Sequence, residues 1–281
     1  MKILIVVVLY EKLISVSDTI ISLNKNNLTN NENYSLLVFD NSFKKSSESL
    51  KNLDYDYFHS NQNKGVIGAY KHAIIKANKE HFDWILMLDD DTTLPKDFLF
   101  KSLRYLKKIA NNNYISALVP KIFDNNKIIS PSLVFRGGLH LKLNKSFEGI
   151  SEKYLCAIGS CSIVRTSFIN DIGGFNTSFT LDCFDRWMFH QIYINHKKIF
   201  VSDIYVKHKL SIENYDNRMN LKRYHSILLN EDLFIKNHLN KLDYFIFKIR
   251  LFVRFFKLFL LYDNKEYAYL TIKFLFWKPS L

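Results

Sequence analysis

The chain begins with an apolar run and then alternates apolar and polar segments. Ile3–Leu9 is apolar throughout and rich in β-branched side chains, which is typical of a strand buried on both faces of a parallel sheet. Shorter apolar runs at 35–39, 55–59 and 84–88 predict three more strands. Because segments with helical spacing separate these runs, the pattern predicts an α/β fold with a doubly wound sheet.

A polar stretch that is compatible with a helix follows the first strand, with Ser17 or Asp18 as a possible N-cap. Two further segments among these runs predict helices. The first is an alanine-rich stretch that follows Gly68. The second has Pro95 in a position suited to a first helical turn and reaches about Ile109. Residues 115–143 predict further strands, with Gly137–Gly138 as a turn or bulge.

The last 41 residues, 241–281, differ in composition from the rest. They contain thirteen aromatic residues and eight Lys or Arg against three acidic residues. Arg250, Arg254 and Lys257 follow helical spacing, and five phenylalanines project from the opposite side of the same helix: Phe245, Phe252, Phe255, Phe256 and Phe259. A basic face opposite an aromatic face predicts a helix that lies in a membrane interface; a helix packed on its own domain is the alternative. Four cations within 242–261 argue against a membrane span.

Composition and charge narrow the class of protein. Hydrophobic residues make up 48% of the 281 residues, with only 8 Gly and 4 Pro, which excludes a collagen-like or mostly disordered chain. The 39 Lys and Arg exceed the 27 Asp and Glu, so the net charge of +12 predicts nucleic acid, an anionic membrane or a phosphate-bearing substrate as partner. Cys156, Cys161 and Cys183 are too few for a disulfide framework and predict buried, reduced thiols in a cytosolic protein.

Polar clusters follow three of the predicted strands. They are Tyr10–Glu11, Asp40–Asn41 and Asp89–Asp91, and in doubly wound sheets ligands bind beyond the carboxyl ends of the strands. Asp89 and Asp91, which are separated by one residue, can present hard oxygen ligands to Mg²⁺ or Mn²⁺. Three consecutive aspartates also occur in solvated turns and helix caps, so the motif alone leaves both interpretations open.

The order of the motifs along the chain is more specific than any one of them. Residues 1–210 contain, in this order, Val-Val-Leu-Tyr-Glu, Phe-Asp40-Asn-Ser, Asn61-x-Asn63-Lys-Gly65, Leu-Asp89-Asp-Asp91, Gly159-Ser-Cys, Ile172-Gly-Gly-Phe, Asp182-Cys-Phe-Asp185-Arg-Trp187 and Val206-Lys-His208. The series resembles glycosyltransferase family 2, and within it most resembles bacterial rhamnosyltransferases and galactofuranosyltransferases. The resemblance implies a GT-A fold, which is a Rossmann-like nucleotide-sugar-binding domain with a mixed central sheet.

The resemblance also implies a donor and a metal ion. The donor would be a nucleoside diphosphate sugar, with UDP- and TDP-sugars favoured. Asp91 and Asp89 would hold Mn²⁺ or Mg²⁺, with His208 as a third ligand or as an ordinary strand-end histidine. Asp40 would accept hydrogen bonds from the base or ribose, or would only form a turn. By the same analogy the residues that bind the donor are Tyr10, Glu11, Asp40, Asn63, Lys64, Gly65, Asp89 and Asp90.

Transfer to a sugar hydroxyl needs a base, and the resemblance implies Asp185 or Asp182. Many relatives have Asp-x-Glu-Trp where this chain has Asp185-Arg-Trp, so the register leaves both aspartates open. Gly174 and Trp187 would shape the acceptor pocket, although Trp187 is equally suited to the core. One direct displacement opposite the departing diphosphate would invert the anomeric carbon.

These observations predict two regions and one leading function. Residues 1–215 form the GT-A domain, with the nucleotide-sugar half at about 1–120 and the acceptor half at about 121–215, and residues 216–281 form a helical, basic and aromatic extension. The predicted enzyme is an inverting, metal-dependent glycosyltransferase that extends a lipid-linked or surface glycan at the cytoplasmic face of the membrane. A homodimer is left open.

Two other functions are weighed against this one. A sugar-1-phosphate nucleotidyltransferase has a similar sheet, but no glycine-rich, basic loop follows the first strand here. Nucleic-acid binding is disfavoured because the aspartate cluster would repel phosphates unless a cation filled it.

Overall fold

The structure is a computed structural model that describes residues 1–26, 28, 32–46, 48, 53–124, 127–179, 182–207 and 220–277. Within these residues the strands are β1 (Ile3–Leu9), β2 (Tyr34–Asp40), β3 (Asp56–His59), β4 (Trp84–Asp89), β5 (Ile115–Asp124), β6 (Lys127–Ser130), β7 (Ser132–Phe135), β8 (Leu139–Lys142), β9 (Gly149–Ser151), β10 (Leu155–Cys156), β11 (Ile163–Arg165) and β12 (Lys198–Lys207). The α-helices are α1 (Asp18–Asn24), α2 (Gly65–Lys79), α3 (Phe98–Ile109), α4 (Thr166–Asp171), α5 (Phe184–Ile194), α6 (Leu221–His238), α7 (Lys241–Leu261) and α8 (Glu266–Trp277).

Most of the described strands form one mixed sheet of nine strands. Its order is β3-β2-β1-β4-β11-β5-β12-β9, with β6 paired to β5. Strands β3, β2, β1 and β4 run parallel, β11 is antiparallel to both β4 and β5, and β12 is parallel to β5. The predicted α/β fold with a mixed central sheet is therefore confirmed. A smaller sheet has the order β10-β7-β8.

The core follows the hydrophobic pattern of the sequence. All seven residues of β1 are buried, because β2 and β4 flank this strand and α2 contacts it. The four predicted strands are confirmed to within one or two residues at each end. The helix predicted from Pro95 begins at Phe98, since the carbonyl of Pro95 accepts the N–H of Phe98 at 3.0 Å in a preceding turn. All three cysteines are buried and free, as predicted.

Two units make up the chain. The first comprises Met1–Leu133 and Lys142–Lys209 and contains the large sheet. The second comprises Val134–Leu141 and Leu210–Leu281, so within the described residues it contains α6, α7 and α8. The sequence had assigned residues 134–141 to the acceptor half, whereas in the structure they belong to the unit of the C-terminal helices.

Gly137 explains why this short segment joins the helical unit. Its φ is 65°, and a Cβ there would lie 2.6 Å from Ile246 Cγ2, so glycine permits a close approach of α7. The N–H of Gly137 donates to Asp243 Oδ1 at 2.9 Å, and its carbonyl accepts a hydrogen bond from Arg250. These bonds satisfy the buried backbone of the segment.

The arginines of α7 face the interior of this unit. Arg254 forms a bidentate pair with Glu231 of α6, with N–O distances of 2.7 and 3.3 Å, and the guanidinium of Arg250 binds Gly137. Lys248 pairs with Asp232 at 3.1 Å, and both carboxylates of α6 are buried. The predicted helix is confirmed. The prediction of an exposed basic face is wrong for Arg250 and Arg254, because their guanidinium groups bind acceptors inside the unit. None of the helices described here combines the length and apolarity that crossing a bilayer requires.

Candidate functional site

The carboxyl ends of β1, β2 and β4 meet at one edge of the large sheet. Their register pairs Leu9 with Asp40 and Val8 with Asp89. The polar residues that follow these strands are therefore neighbours, as the parallel arrangement predicted. This edge contains the candidate site.

Buried hydroxyl groups hold the turn that follows β4. Thr19 Oγ1 donates to the carbonyl of Asp89 at 2.5 Å and accepts the N–H of Thr92 at 2.9 Å. Ser160 Oγ accepts the N–H of Asp89 at 3.0 Å and lies 3.0 Å from Thr92 Oγ1. The hydroxyl groups of Thr19, Thr92 and Ser160 thus hold the backbone of the aspartate turn.

The three aspartates of this turn have different surroundings. Asp90 Oδ1 lies 3.2 Å from Lys12 Nζ in an ion pair. Burial, together with the nearby charges of Asp91, Asp90 and Asp185, raises the pKa of Asp89 to about 7. A cation close to Asp89 and Asp91 would offset this repulsion, because an opposite charge favours the ionised carboxylate.

Asp185 lies in the first turn of α5 and is half-buried. The N–H of Arg186 donates to Asp185 Oδ1 at 2.8 Å, and burial raises the pKa of Asp185 above its ordinary value. Since its charge also raises the pKa of Asp89, Asp185 lies within electrostatic reach of the aspartate turn. Asp182, the other candidate base, is 8% exposed and lies in the turn before α5.

The loop after β1 is joined to the loop after β2. The N–H of Glu11 donates to Ser42 Oγ at 2.8 Å, and Glu11 Oε1 accepts the N–H of Phe43 at 2.8 Å. Glu11 has a φ of 49°, which is uncommon for a residue other than glycine. The adjacent Tyr10 side chain is 48% exposed. Of the two predicted donor contacts, Tyr10 is accessible, whereas the Glu11 carboxylate organises the neighbouring loop.

Asn41 joins the end of β2 to the loop before α2. Its Oδ1 accepts the N–H of Lys64 at 3.2 Å, and its Nδ2 donates to the carbonyl of Gly65 at 3.1 Å. Within that loop, Asn63 Oδ1 accepts the N–H of Gly65 at 2.9 Å. The predicted residues Asn63, Lys64 and Gly65 therefore lie beside the end of β2.

Asp40 is 1% exposed, and both of its carboxylate oxygens have partners within the fold. Oδ1 accepts the N–H of Ser42 at 2.9 Å, and Oδ2 accepts the Tyr57 hydroxyl at 2.5 Å. This is the turn-forming role that the sequence left open as the alternative to nucleotide binding.

The two residues predicted for the acceptor pocket have roles within the fold. Trp187 is 5% exposed, so its ring is packed in the core and has no face available to a sugar. Gly174 has a φ of 90°, and its N–H donates to the carbonyl of Ile169 at 2.8 Å at the end of α4. Core packing and helix termination account for these residues without an acceptor.

A metal site would rest on two carboxylates. His208, the predicted third ligand, lies outside the described residues. Among the residues that are described, no group of three or more His, Cys, Asp and Glu side chains could hold a metal ion. Asp89 and Asp91 nevertheless fit Mg²⁺ or Mn²⁺, since such ions are commonly bound through one or two carboxylates, waters and substrate phosphates.

The sequence motifs predict no positioning role for Thr19, Ser160 or Asn41, which hold the loops of this site. Ser160 and Asn41 lie within motifs that support the family resemblance, so their position beside predicted residues was an available signal. Thr19 offered none, because its contact with Asp89 spans 70 positions of the chain.

Solved structures show the same fold. The chain superposes on residues 1–349 of TarS from S. aureus with a TM-score of 0.56 at 15% identity, covering 97% of this chain and 80% of that one. Against a longer TarS chain the TM-score is 0.55 at 16% identity, and this chain spans only 44% of that length. The mannosyltransferase PcManGT from Pyrobaculum calidifontis gives a TM-score of 0.54 at 11% identity, covering 99% of this chain and 88% of that one.

The sequence comparisons identify the family. No curated protein sequence matches the chain. Residues 4–173 match the model of glycosyl transferase family 2, and the predicted GT-A fold agrees with the structural neighbours. These findings support the family and not the narrower rhamnosyl or galactofuranosyl subtype. Because the match covers more than half of the 281 residues, the protein belongs to glycosyl transferase family 2.

Proposed function

We propose that this protein is an inverting glycosyltransferase that moves a sugar from a nucleoside diphosphate sugar to a hydroxyl group of a glycan. The observation that carries the proposal is the position of Asp185 beside the loop that holds the aspartate turn. Its Cβ lies 3.9 Å from where a Cβ on Gly159 would be, and the next residue, Ser160, binds the backbone N–H of Asp89. The transfer needs a base and a site for the donor diphosphate. Asp185 would supply the base, and a divalent ion held by Asp89 and Asp91 would bind the diphosphate. Family membership favours this reaction over nucleotidyl transfer and over nucleic-acid binding.

Asp185 is the proposed base. Burial raises its pKa, which increases its basicity for proton transfer near neutral pH. The N–H of Arg186 orients Oδ1, so Oδ2 can accept the proton of the acceptor hydroxyl. The hydroxyl oxygen then bonds to the anomeric carbon as the bond to the diphosphate breaks on the opposite side. One displacement of this kind inverts the configuration and requires no nucleophilic side chain. Asp182 is the alternative base.

Asp89 and Asp91 are the proposed ligands of a divalent ion, Mn²⁺ or Mg²⁺. The ion would stabilise the negative charge that develops on the departing diphosphate. In this chain, Lys12 offsets the charge of the third carboxylate, Asp90. Tyr10 and the loop of Asn63, Lys64 and Gly65 are the proposed contacts of the nucleotide.

The donor is proposed to be a UDP- or TDP-sugar. Structures of TarS contain UDP and UDP-GlcNAc, and that of the mannosyltransferase contains GDP-Man and Mn²⁺. These complexes support a nucleotide-sugar donor and a divalent ion for a chain of the same fold.

The acceptor is proposed to be a lipid-linked glycan of a bacterial cell-surface polysaccharide. The enzyme would associate peripherally with the cytoplasmic face of the inner membrane. The net charge of +12 and the aromatic C-terminal helices support this location. The alternative is that those helices form the contact of a homodimer.

A donor screen tests the proposal. The purified full chain is mixed with UDP-, TDP- and GDP-sugars with and without Mn²⁺, and we measure thermal stability and then nucleoside diphosphate release in the presence of glycan acceptors. Asp91→Ala should reduce release by about 100-fold or more while the melting temperature is retained. Asp171→Ala, at the exposed end of α4, is the matched control and should behave as wild type.

Two outcomes would contradict the proposal. Full activity of Asp91→Ala, or of the wild type in excess chelator, would exclude the metal-dependent mechanism. Absence of binding to every nucleotide sugar would exclude the glycosyltransferase function itself.

A further inference from the structure

One side of α7 is apolar and exposed along the whole helix. Its residues recur at intervals of three and four, and each side chain is at least 38% exposed: Leu242, Phe245, Ile249, Phe252, Phe256 and Phe259. Val253 and Leu260, which are 61% and 72% exposed, widen this strip, and we call these eight residues the apolar face. The opposite side of α7 is buried within its own unit at Phe247, Leu251 and Leu258.

The apolar face is a contiguous patch and not a set of isolated exposed apolar residues. At 1.5 Å per residue, 242–260 spans roughly 27 Å of helix. Soluble monomers rarely expose apolar patches that are both contiguous and large, and those that do generally bind a partner there. The charged residues within 242–260 occupy other positions of the helix: Asp243, Lys248, Arg250, Arg254 and Lys257.

Aromatic contacts extend the apolar face onto the next helix. The rings of Phe252 and Phe256 meet edge to face, with centroids 5.0 Å apart. Phe259 meets Tyr269 of α8 in the same way at 6.4 Å, and Tyr269 is 54% exposed. Phenylalanine and tyrosine rings of this kind suit the boundary between lipid head groups and acyl chains.

The exposed charges on α7 are cationic. Lys241 and Lys257 are exposed, whereas the single acidic residue of this helix, Asp243, is buried and accepts the N–H of Gly137. Arg250 and Arg254 bind acceptors inside the unit. A negatively charged surface complements this arrangement.

We infer that the apolar face of α7 docks onto an anionic lipid bilayer, with the helix lying parallel to the membrane plane. The inference deepens the proposed function and rests on it for its biological purpose. In this orientation the apolar face contacts the acyl chains, and Lys241 and Lys257 lie at the level of the lipid head groups. The arginines that the sequence placed at the membrane hold the unit together instead.

Vesicle co-sedimentation of the full chain tests the inference. The vesicles contain phosphatidylcholine alone or with about one third phosphatidylglycerol. Phe245→Gln/Phe256→Gln should weaken binding to the anionic vesicles by at least about tenfold, because two rings no longer enter the acyl boundary. Ile75→Gln/Phe100→Gln is the matched control: both residues are exposed, at 68% and 70%, on α2 and α3, and binding should be unchanged.

A charge variant tests the role of the lysines. Lys241→Glu/Lys257→Glu should weaken binding to anionic vesicles and leave any binding to neutral vesicles unaltered. Thermal unfolding of each variant establishes that the chain is folded. Nucleoside diphosphate binding on the same samples separates this inference from the proposed function, since a folded phenylalanine variant should still bind the nucleotide.

Three results would overturn the inference. The first is equal vesicle binding by the wild type and the Phe245/Phe256 variant. The second is a wild type that binds nucleotide but no vesicles. The third is a lipid-free dimer, seen by sedimentation velocity, that the phenylalanine variant dissociates and that binds no vesicles, because the occupant of the apolar face would then be a second copy of the chain.

Discussion

Ser160 Oγ accepts a hydrogen bond from the backbone N–H of Asp89 at 3.0 Å. Ser160 lies in the loop before β11, and β11 pairs antiparallel with β4, the strand that ends at Asp89. A loop 71 positions further along the chain therefore holds the backbone of Asp89, the first aspartate of the candidate metal site. This arrangement makes Ser160 a positioning residue whose role can be measured.

Ser160→Ala should weaken donor binding as well as stability. Loss of the Ser160 hydroxyl leaves the N–H of Asp89 without its acceptor. We expect this to lower the free energy of unfolding by about 1–3 kcal/mol. We expect the Kd for a nucleoside diphosphate with Mn²⁺ to rise by about threefold to tenfold, measured by calorimetric titration. Ser162→Ala is the control, because Ser162 is equally buried but donates to the carbonyl of Ile158 at 2.7 Å. An equal change of Kd in both variants would contradict a positioning role.

Tyr57→Phe should remove a pH-dependent contribution to stability. Burial, and secondarily the hydrogen bond to Asp40, raises the pKa of Tyr57 to about 12. Because folding favours the protonated phenol, this stabilisation is complete below the unfolded pKa of 10.0 and is lost as the pH rises through about 12. The difference in unfolding free energy between wild type and Tyr57→Phe should therefore shrink across that interval in urea titrations. A difference in unfolding free energy that persists above pH 12 would refute the assignment.

Arg254→Met should destabilise the C-terminal unit. The substitution leaves the buried carboxylate of Glu231 without its bidentate guanidinium, which costs about 3–5 kcal/mol. Urea denaturation followed by circular dichroism measures the loss. Lys257→Met, on the exposed part of the same helix, should change stability by only about 0.5 kcal/mol. If Arg254 served only a membrane, both variants would unfold like the wild type.

Asn41→Asp should loosen the loop before α2. Aspartate can still accept the N–H of Lys64, but an ionised carboxylate cannot donate to the carbonyl of Gly65. Since Asn41 is 2% exposed, we expect a loss of about 1–3 kcal/mol in stability and weaker nucleotide binding. Asn78→Asp, which breaks an exposed amide pair with Asn170, is the control. Unchanged nucleotide affinity in Asn41→Asp would show that the loop does not form part of the donor site.

Much of the fold was predictable because hydrophobic patterning is a local property of the chain. Ile3–Leu9 is a β-strand at the predicted bounds, and the helix of α7 was predicted from its spacing. The direction in which α7 faces was not predictable, since its apolar and basic sides are both plausible interior surfaces. Buried Glu231 and Asp232, contributed by another helix, decided that the basic side packs inward.

The candidate site was predictable in its residue types and less so in its contacts. Motif order selected Asp89, Asp91 and Asp185, and in the structure Asp91 and Asp185 both lie within electrostatic reach of Asp89. Asp40 and Trp187 were selected by the same reasoning. In the structure, however, Asp40 is buried and has two hydrogen-bond partners within the fold, and Trp187 is packed in the core. A motif identifies a residue by its neighbours in sequence, whereas its accessibility depends on neighbours in space.

The sequence by itself therefore determined the family and the succession of strands and helices, and it selected the carboxylates that we propose for the chemistry. Only the tertiary structure decided which side of α7 is exposed, that residues 134–141 belong with the C-terminal helices, and that Thr19 and Ser160 hold the aspartate turn. The physical reason is the same in each case. These outcomes depend on burial and hydrogen bonds between residues of different elements, separated by 16 to 113 positions, and the periodicity of one strand or helix contains no information about such pairs.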